Sequence, residues 1–525
     1  MHPLAQQIQS AKQAYAHGDH ERAVAICNQL LARLGARDDL LNIKALALSA
    51  QGRSEAAVEA IRKALKLNPK VAGMHLNAAG IYKGQSRFKL AKRHAMEAIR
   101  LAPREPALLY QAALLLRDCR DYARALRTIE RCLQVQPGFS QGWHLKGSAL
   151  IDLGHIEAAQ QALQKAVELD PDDVRALSSL VKIRGDQLDN RAVVAQLERI
   201  RTHAGKAMDR ASAGFVLGKM HHRDGQYDAA FSLLQEANGL VAQSRPFDLG
   251  GWQRQVEHIR QTGAGDLASP RSSGGGNLVF IIGMPRSGTT LCEQVLSANS
   301  NVLACGELAA MEHIEHGFTH RGVDPYRDSM NDKDLDGAAD AYLSSLPGDY
   351  HAYQLVTDKA PMNFERVGMI SRIFPGARFL YCTRHPLDTI FSCFMQDFQA
   401  LSFATGIEQI TQVYIGHVRL MRHWMNLVPG KIRVVNYETY VADQQAATRE
   451  MAGFLELDYE EGMMAPHLQE RAVVTASNLQ VRQAVYSSSI GRWNKYEKHL
   501  APAIALLQKE KLLDADLGAS FDLGN

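Results

Sequence analysis

The sequence predicts a chain of two parts: an all-α solenoid of helical repeats, followed by an α/β domain with a central parallel sheet. Four prolines, Pro69, Pro103, Pro137 and Pro171, are spaced at a constant interval of 34 residues, which indicates a repeat of paired helices. Residues 263–276 are rich in Gly, Ser and Pro and mark a boundary. Beyond that boundary, apolar segments alternate with amphipathic ones, as in a parallel sheet covered by helices.

The composition is that of a soluble globular protein. The chain has 525 residues, 46% hydrophobic and 22% charged, which corresponds to several domains. It contains no apolar run of about 18 residues, so no membrane span is expected. Its N-terminus does not resemble a signal peptide. The seven cysteines form no CxxC pair, and we expect reduced thiols in a cytoplasmic protein.

Small residues recur in register with the prolines. Ala57, Ala91, Ala125 and Ala159 each precede one of them by 12 residues, at positions where helices must approach closely. The segment 140–171 resembles the tetratricopeptide consensus through Trp143, Gly147, Gly154, Ala159, Ala166 and Pro171. The resemblance implies antiparallel helix pairs that bury their apolar faces only against neighbouring pairs. We assign residues 1–243 to this solenoid, with about seven helical pairs.

The remaining boundaries follow from the change of pattern. Residues 244–276 are predicted to form a connecting helix and a flexible linker. Residues 277–525 are predicted to form the α/β domain. Within it, strands are expected at 277–283, 377–383 and 431–437, and helices at 287–298 and 386–396.

The segment LVFIIGMPRSGTTL, residues 278–291, predicts an anion-binding turn. A buried strand leads through a glycine-containing turn into a helix, which directs backbone N–H groups and the positive end of the helix dipole at one point. Gly283 and Gly288 have the spacing of G-x-x-x-x-G-K-[ST], but Thr289 replaces the lysine. The sequence also shows no convincing aspartate to hold magnesium, so hydrolysis of ATP or GTP is disfavoured.

The same turn resembles the P-[KR]-S-G-T-T loop of sulfotransferases. That loop holds the 5′-phosphosulfate of 3′-phosphoadenosine 5′-phosphosulfate (PAPS). The resemblance implies a P-loop-like sulfotransferase domain that uses PAPS as donor, releases PAP and needs no metal. The matching residues, expected to contact the donor, are Pro285, Arg286, Ser287, Gly288, Thr289 and Thr290.

A second segment, ARFLYCTRHPLDTIFSCF at residues 377–394, also reads as strand, turn and helix. Arg384 stands at the end of the strand, and Ser392 follows eight residues later. In sulfotransferases an arginine and a serine in this arrangement bind the 3′-phosphate that distinguishes PAP from AMP. The resemblance implies those roles here, against the alternative of an arginine that caps a turn and a serine that faces solvent.

Sulfuryl transfer also needs positive charge near the leaving phosphate and a base for the acceptor hydroxyl. A permanently charged guanidinium such as that of Arg286 meets the first need. Lys359, in VTDKAPMNF, matches a catalytic lysine of the family. Tyrosylprotein sulfotransferases carry their base in a C-G-E sequence, and Glu307 stands in such a sequence 21 residues beyond Arg286. His385 is a rival base, expected to lie too far from the sulfur.

Three further donor contacts are predicted near the end of the chain. Residues 481–500 resemble stretches that close over the donor in related enzymes and contain Ser489 and Trp493, although a packing role for Trp493 is equally plausible. Tyr437 ends a predicted strand at the edge where ligands bind open α/β sheets, and is a candidate adenine contact.

The distribution of charge bears on the acceptor. Residues 1–276 carry 38 Lys and Arg against 27 Asp and Glu, a net +11, whereas residues 277–525 carry 21 against 29, a net −8. A basic concave surface on the repeats would attract an acidic protein or peptide, although the excess charge could equally serve solubility. No basic stripe interleaved with aromatics suggests nucleic-acid binding.

Three functional hypotheses follow. The first is a PAPS-dependent sulfotransferase acting on a protein or peptide, by analogy on tyrosine. The second keeps the enzyme but gives it a carbohydrate, lipid or small-molecule hydroxyl. The third is a non-catalytic repeat scaffold with a nucleotide-binding domain. The sequence does not fix the oligomeric state and leaves a homodimer open.

Overall fold

The computed structural model describes residues 3–184, 190–267, 275–398, 400–468 and 489–513. The chain divides into two compact units, Met1–Asp170 and Pro171–Asn525. We describe each unit by itself. The predicted linker residues 268–274 and the predicted C-terminal residues 481–488 lie outside the described ranges.

The first unit consists of helices. They are α1 (Pro3–Ala16), α2 (His20–Leu34), α3 (Asp38–Ala50), α4 (Ser54–Leu67), α5 (Ala72–Gly84), α6 (Phe88–Leu101), α7 (Pro106–Asp118), α8 (Tyr122–Val135), α9 (Ser140–Leu153) and α10 (Ile156–Leu169). Each odd-numbered helix packs on the even-numbered helix that follows it and on the next odd-numbered helix. This is the predicted stack of helical pairs.

The repeat residues have visible packing roles. A Cβ atom on Gly147 would lie 2.6 Å from Cγ of Leu163, so only glycine lets α9 approach α10 this closely. Trp143 donates its indole N–H to the carbonyl of Pro137 at 2.8 Å, which ties the start of α9 to the turn before it. Gly154 ends α9 in the left-handed conformation at φ 86°. These contacts explain the 34-residue register in physical terms.

The second unit begins with five more helices. They are α11 (Val174–Arg184), α12 (Asn190–His203), α13 (Ala207–Arg223), α14 (Tyr227–Ser244) and α15 (Leu249–Arg260). Helices α13 and α14 form a close pair, because Gly218 admits Leu234 where a Cβ would meet its Cγ at 2.8 Å. Helix α13 also packs on α12 and on α11, and all four helices belong to the second compact unit. The predicted number of about seven helical pairs stays a prediction.

Helix α15 lies in the segment predicted to connect the domains, and it packs against the α/β domain. Trp252 is buried on α15 and donates its indole N–H to the Glu365 carboxylate at 2.8 Å. Its ring fits against Gly416, where a Cβ would lie 2.6 Å away. Burial raises the pKa of Glu365. The predicted extents of solenoid, linker and α/β domain stay predictions.

The centre of the second unit is a five-stranded parallel sheet. Its strands are β1 (Leu278–Gly283), β2 (Val302–Ala304), β3 (Leu355–Asp358), β4 (Arg378–Thr383) and β5 (Ile432–Asn436). Their order across the sheet is β2-β3-β1-β4-β5. Strand β1 is central and pairs with β3 on one side and with β4 on the other, with Val279 opposite both Thr357 and Arg378. All its residues are buried, as its continuous apolar sequence predicts.

Helices accompany the strands. They are α16 (Thr289–Ser297), α17 (Ala310–His320), α18 (Asp332–Leu343), α19 (Val367–Ile373), α20 (Pro386–Phe394), α21 (Ile407–Leu427), α22 (Tyr437–Ala442), α23 (Gln444–Phe454) and α24 (Ala501–Lys509). Short 3₁₀ helices include Pro361–Arg366 and Arg492–His499. No helix among the described residues is long and apolar enough to cross a membrane.

The three predicted strands and two predicted helices of this domain are present. Strands β2 and β3 were not predicted, because they have only three and four residues. All seven cysteines are buried and none forms a disulfide. The fold class is confirmed: an N-terminal repeat region of helices, followed by an α/β domain with a central parallel sheet.

Candidate active site

The candidate residues lie at one edge of the sheet, because all five strands run in parallel and end there. Each strand is followed at once by part of the predicted site. The turn of residues 284–288 follows β1. Lys359, Arg384 and Tyr437 come directly after β3, β4 and β5, and Glu307 lies three residues beyond the end of β2. The strand order places Glu307 and Lys359 on one side of the β1 turn, and Arg384 and Tyr437 on the other.

Two glycines shape the β1 turn. Gly283 has φ 143°, and a Cβ there would lie 2.4 Å from the carbonyl oxygen of Cys382. Gly288 has φ 100°, and its Cβ would lie 3.0 Å from Cδ2 of Tyr437. Side chains at either position would strain the backbone and meet a neighbouring strand end. Helix α16 begins directly after Gly288, so the turn presents helix N-terminal amides.

Arg286 connects this turn to the second motif. Its backbone adopts the left-handed conformation at φ 71°. Its Nε donates to Oγ of Ser392 at 3.1 Å. Its carbonyl oxygen accepts a bond of 3.2 Å from Arg384. The structure thus brings Arg286, Arg384 and Ser392 together, although the two segments are about a hundred residues apart in sequence.

The turn is also fixed to helix α20. The thiol of Cys393 donates to the carbonyl oxygen of Pro285 at 3.3 Å. Burial raises the pKa of Cys393 to about 12, so the thiol stays protonated and can donate this bond. One side of α20 therefore carries Ser392 toward Arg286 and Cys393 toward Pro285.

Several buried polar atoms here have no hydrogen-bond partner among the described residues. They are Oγ of Ser287, Nε of Arg384 and Oγ1 of Thr389. Leaving such atoms buried and unpaired is costly, and a bound oxyanion can accept hydrogen bonds from both hydroxyl and guanidinium groups. Two of them are hydroxyls and one belongs to a guanidinium, and these are donors that suit phosphate. The residues present therefore fit a phosphorylated ligand.

On the other side of the β1 turn, Glu307 and Lys359 form an ion pair between Oε1 and Nζ. The Lys359 side chain is fully buried, whereas that of Glu307 is 51% exposed. The backbone supports the pair, because the N–H of Lys359 donates to the carbonyl of Gly306 at 2.9 Å. The structure thus brings these two candidate residues together.

Two buried carboxylates that sequence reasoning missed hold this pair in place. Glu293 accepts bonds from the N–H of Gly306 at 2.7 Å and from the hydroxyl of Thr357 at 3.2 Å. Asp358 accepts a bond from the hydroxyl of Tyr342 at 3.1 Å. Glu293 lies on α16, so it ties the C-G-E turn to the helix that follows the β1 turn. The sequence offered one signal for Glu293, namely its position three residues after Thr290 of the predicted anion-binding turn.

The C-terminal segment reaches the same region through Arg384 and Asp388. Arg384 donates to the carbonyl of Ser489 at 2.5 Å. Asp388 accepts bonds from the N–H groups of Gly491 at 2.7 Å and Trp493 at 3.0 Å. Sequence reasoning missed Asp388, which lies four residues beyond Arg384 and 3.9 Å from it. The described part of this segment is thus held next to Arg384.

Trp493 and Tyr437 have packing contacts in this structure. The Trp493 ring stacks on His385 with centroids 5.3 Å apart and an interplanar angle of 3°. The guanidinium of Arg384 lies over the Tyr437 ring, 5.1 Å from its centroid. His385 also donates its backbone N–H to Glu438, and desolvation lowers the pKa of its ring. His385 therefore lies beside Arg384. It is on the other side of the β1 turn from the Glu307–Lys359 pair.

No group of three or more His, Cys, Asp or Glu side chains in the described ranges is arranged to hold a metal ion.

Comparison with known families identifies both parts of the chain. Residues 278–461 match the sulfotransferase family model. Residues 38–71 and 140–173 match the tetratricopeptide repeat model. These matches confirm the predicted combination of tetratricopeptide repeats with a sulfotransferase domain.

Relatives cover different parts of the chain. An uncharacterized protein of Aquifex aeolicus (strain VF5) is 31% identical over 391 residues, which is 70% of this chain and 50% of the relative. This chain thus spans about half the length of that relative. Protein-tyrosine sulfotransferase 1 of Homo sapiens is 30% identical over 117 residues, covering 20% of this chain and 31% of that enzyme.

Among solved structures, a tetratricopeptide repeat protein from Parabacteroides merdae ATCC 43184 is similar to this chain. Its TM-score is 0.36 at 16% identity, over 46% of this chain and 93% of that protein.

Proposed function

We propose that this protein is a PAPS-dependent sulfotransferase that modifies a hydroxyl, by analogy that of tyrosine, on a protein or peptide recruited by the repeats. The observation that carries the proposal is the common edge where the β1 turn, the Glu307–Lys359 pair and the Arg384–Ser392 pair meet. In this arrangement the β1 turn would be the anion site. The Glu307 carboxylate would lie on one side of it, and the cationic site of Arg384 on the other.

The donor would bind by its two phosphate groups. Backbone N–H groups of residues 286–290 and the hydroxyl of Ser287 would hold the 5′-phosphosulfate, with Pro285 contacting it from the same turn. Arg384 and Ser392 would hold the 3′-phosphate, with Arg286 beside them. Tyr437, Ser489 and Trp493 would contact the donor from the β5 side and from the C-terminal segment. PAPS supplies the activated sulfuryl group, and PAP leaves.

In the transfer, the acceptor oxygen forms a bond to sulfur while the bond between sulfur and the bridging phosphate oxygen breaks. The electron pair of that bond goes to the leaving phosphate of PAP, and the acceptor proton goes to the Glu307 carboxylate. Lys359 and Arg286 would stabilise the charge on the transferring group and the leaving phosphate. Because Glu307 is half exposed, it is accessible to an incoming acceptor while Lys359 stays buried.

The test is transfer of radiolabelled sulfur from PAPS to a tyrosine-containing peptide. Glu307→Gln should lower turnover by about two to four orders of magnitude, because the base is removed while the shape of the side chain is kept. Binding of PAP, measured by calorimetry, should be unchanged. Glu312→Gln is the matched control, because Glu312 also stands near the start of α17 and should leave turnover intact.

Equal turnover in Glu307→Gln and the wild type would refute the proposed base. PAP binding without any labelled product would favour a nucleotide-binding scaffold. Labelling of carbohydrate or lipid hydroxyls, but not of peptides, would favour the alternative acceptor.

A further inference from the structure

Helix α17, which begins three residues after Glu307, carries a carboxylate on its buried face. Glu315 is 7% exposed, and the other buried residues of this helix are Ala310, Met311 and Phe318. Oε2 of Glu315 lies 2.7 Å from Nε of Arg366, and Oε1 accepts a hydrogen bond from the hydroxyl of Tyr326. A carboxylate on an otherwise apolar face needs such partners, because burying it alone is costly.

Arg366 belongs to the element that follows Lys359. The 3₁₀ helix Pro361–Arg366 begins two residues after Lys359. Trp424 on α21 and Trp252 on α15 each donate an indole N–H to this short helix, at 2.9 Å and 2.8 Å. Lys359 therefore leads into an element that is held by two longer helices and whose last side chain reaches α17.

Two ion pairs thus join the same two segments of chain. Glu307 pairs with Lys359 near the sheet, and Glu315 pairs with Arg366 farther along both segments. Glu315 follows Glu307 by eight residues, and Arg366 follows Lys359 by seven. The two pairs close a ring, so a movement of α17 that separates the second pair also displaces the first.

Tyr326 fixes the orientation of the Glu315 carboxylate. Burial raises the pKa of Tyr326 well above its usual range, so its hydroxyl keeps the proton that it donates to Glu315. Arg372 on α19 donates to the carbonyl of Pro325 at 2.8 Å, which holds the loop that carries Tyr326. Two groups from different elements therefore hold the one carboxylate.

A buried ion pair is a costly way to join two elements. Apolar side chains of similar volume often stabilise a fold equally well or better, because no charge has to be desolvated. An ion pair with an added hydrogen bond instead imposes a defined distance and direction. The Glu315–Arg366 pair therefore suits the task of setting the position of α17 better than the task of adding stability.

We propose that Glu315, Arg366 and Tyr326 are positioning residues, which hold α17 so that the Glu307 carboxylate stays beside Lys359 and within reach of the acceptor hydroxyl. This inference rests on the proposed sulfotransferase function. The three residues act through Glu307 and leave the donor phosphates to the β1 turn and to Arg384. Their loss should therefore lower turnover without weakening donor binding.

The first measurement compares kcat for transfer of labelled sulfur with PAP affinity from calorimetry. Glu315→Gln keeps the shape of the side chain but removes its charge. It should lower kcat by roughly 10- to 100-fold, because a misplaced base is a poor one, and should leave PAP affinity unchanged. Tyr326→Phe removes one hydroxyl and should lower kcat by about three- to tenfold. Glu312→Gln makes the same chemical change at an exposed position of α17 and should leave kcat unchanged.

Two double variants separate positioning from folding. When Glu315→Gln is added to Glu307→Gln, the residual turnover should fall no further, because the group that Glu315 positions is already absent. Glu315→Leu with Arg366→Met replaces the ion pair by apolar side chains. This variant should melt no lower than the wild type, yet its kcat should still fall. An equal further loss of turnover in the Glu307→Gln background would overturn the inference.

Hydrogen exchange gives a readout that does not depend on activity. The N–H of Lys359 donates to the carbonyl of Gly306 at 2.9 Å and so reports on the contact between the two segments. Its exchange should become at least about fivefold faster in Glu315→Gln. The N–H of Phe379, which donates to Lys431 at 2.8 Å on the other side of the sheet, is the internal control and should exchange as in the wild type.

The two proposals fail separately. If the wild type transfers labelled sulfur but Glu315→Gln changes neither kcat nor the exchange rate of Lys359, the positioning role is wrong. If exchange at Lys359 accelerates as expected but the wild type transfers no sulfur, the carboxylate is positioned as inferred and the proposed activity is wrong.

Discussion

At the scale of single residues, the candidate site depends on bonds between distant parts of the chain. Arg384 illustrates this, because it contacts the carbonyls of Arg286 and Ser489 and lies near Asp388. Its Nε is buried and has no partner among the described residues. Arg384 can therefore bind a ligand with one part of its guanidinium while the other parts hold the two neighbouring segments.

The 3′-phosphate role of Arg384 can be tested by comparing PAP with AMP. Arg384→Ala should weaken PAP by roughly 10- to 100-fold, because a charged hydrogen bond to phosphate is lost, and should weaken AMP much less. Calorimetry on both nucleotides gives the ratio. Ser392→Ala, a smaller change, should shift the ratio in the same direction. Equal losses for the two nucleotides would contradict the assignment.

Sequence reasoning found the residues that belong to contiguous motifs and missed those that support them from elsewhere. Arg286, Glu307, Lys359 and Arg384 stand in recognisable motifs, and the structure brings them to one edge. Glu293 bonds the C-G-E turn across 13 residues of sequence, and Asp388 bonds Trp493 of the C-terminal segment across 105 residues. Such long-range pairs depend on the folded topology, which a local pattern does not contain.

At the scale of elements, helix α14 is held to the C-terminal segment by polar and aromatic contacts. Asp228 pairs with Lys498 at 2.7 Å and with His499 at 2.8 Å. The ring of Phe231 stacks on that of His499 with centroids 4.1 Å apart. On α13, His222 contacts the hydroxyl of Tyr496 at 2.8 Å. Through these contacts helices α13 and α14 support the segment that carries Ser489 and Trp493.

The predicted boundary lies after residue 243, whereas the two compact units meet at Asp170 and Pro171. Shortened chains that begin at each boundary should distinguish these two divisions. A chain of residues 171–525 keeps α13 and α14, and should fold and bind PAP like the full chain. A chain of residues 244–525 loses the four helices α11 to α14 and uncovers the apolar partners of α13 and α14. It should melt at least about 5 °C lower and bind PAP more weakly. Circular dichroism and calorimetry measure both properties. Equal melting temperatures for these two chains would show that helices α11 to α14 do not support the sulfotransferase domain.

The elements of the sheet were predictable in proportion to their length. Strands β1, β4 and β5 have five or six residues and were expected from their apolar sequence. Strands β2 and β3 are too short to show a period. They matter nonetheless, because Glu307 and Lys359 follow them, and their pairing brings the predicted base and the predicted lysine together.

At the scale of the whole molecule, the chain joins a basic repeat-containing part to an acidic sulfotransferase-containing part, with net charges of +11 and −8. Long-range attraction of acidic partners to the repeats would raise their association rate, and this effect should weaken with salt.

The central claim is that one edge of the sheet binds both phosphate groups of the donor. The most direct measurement is a crystal structure of the full chain with PAP. The 5′-phosphate should lie against residues 285–290 and the 3′-phosphate against Arg384 and Ser392. PAP bound elsewhere, or with its 3′-phosphate away from Arg384, would contradict it.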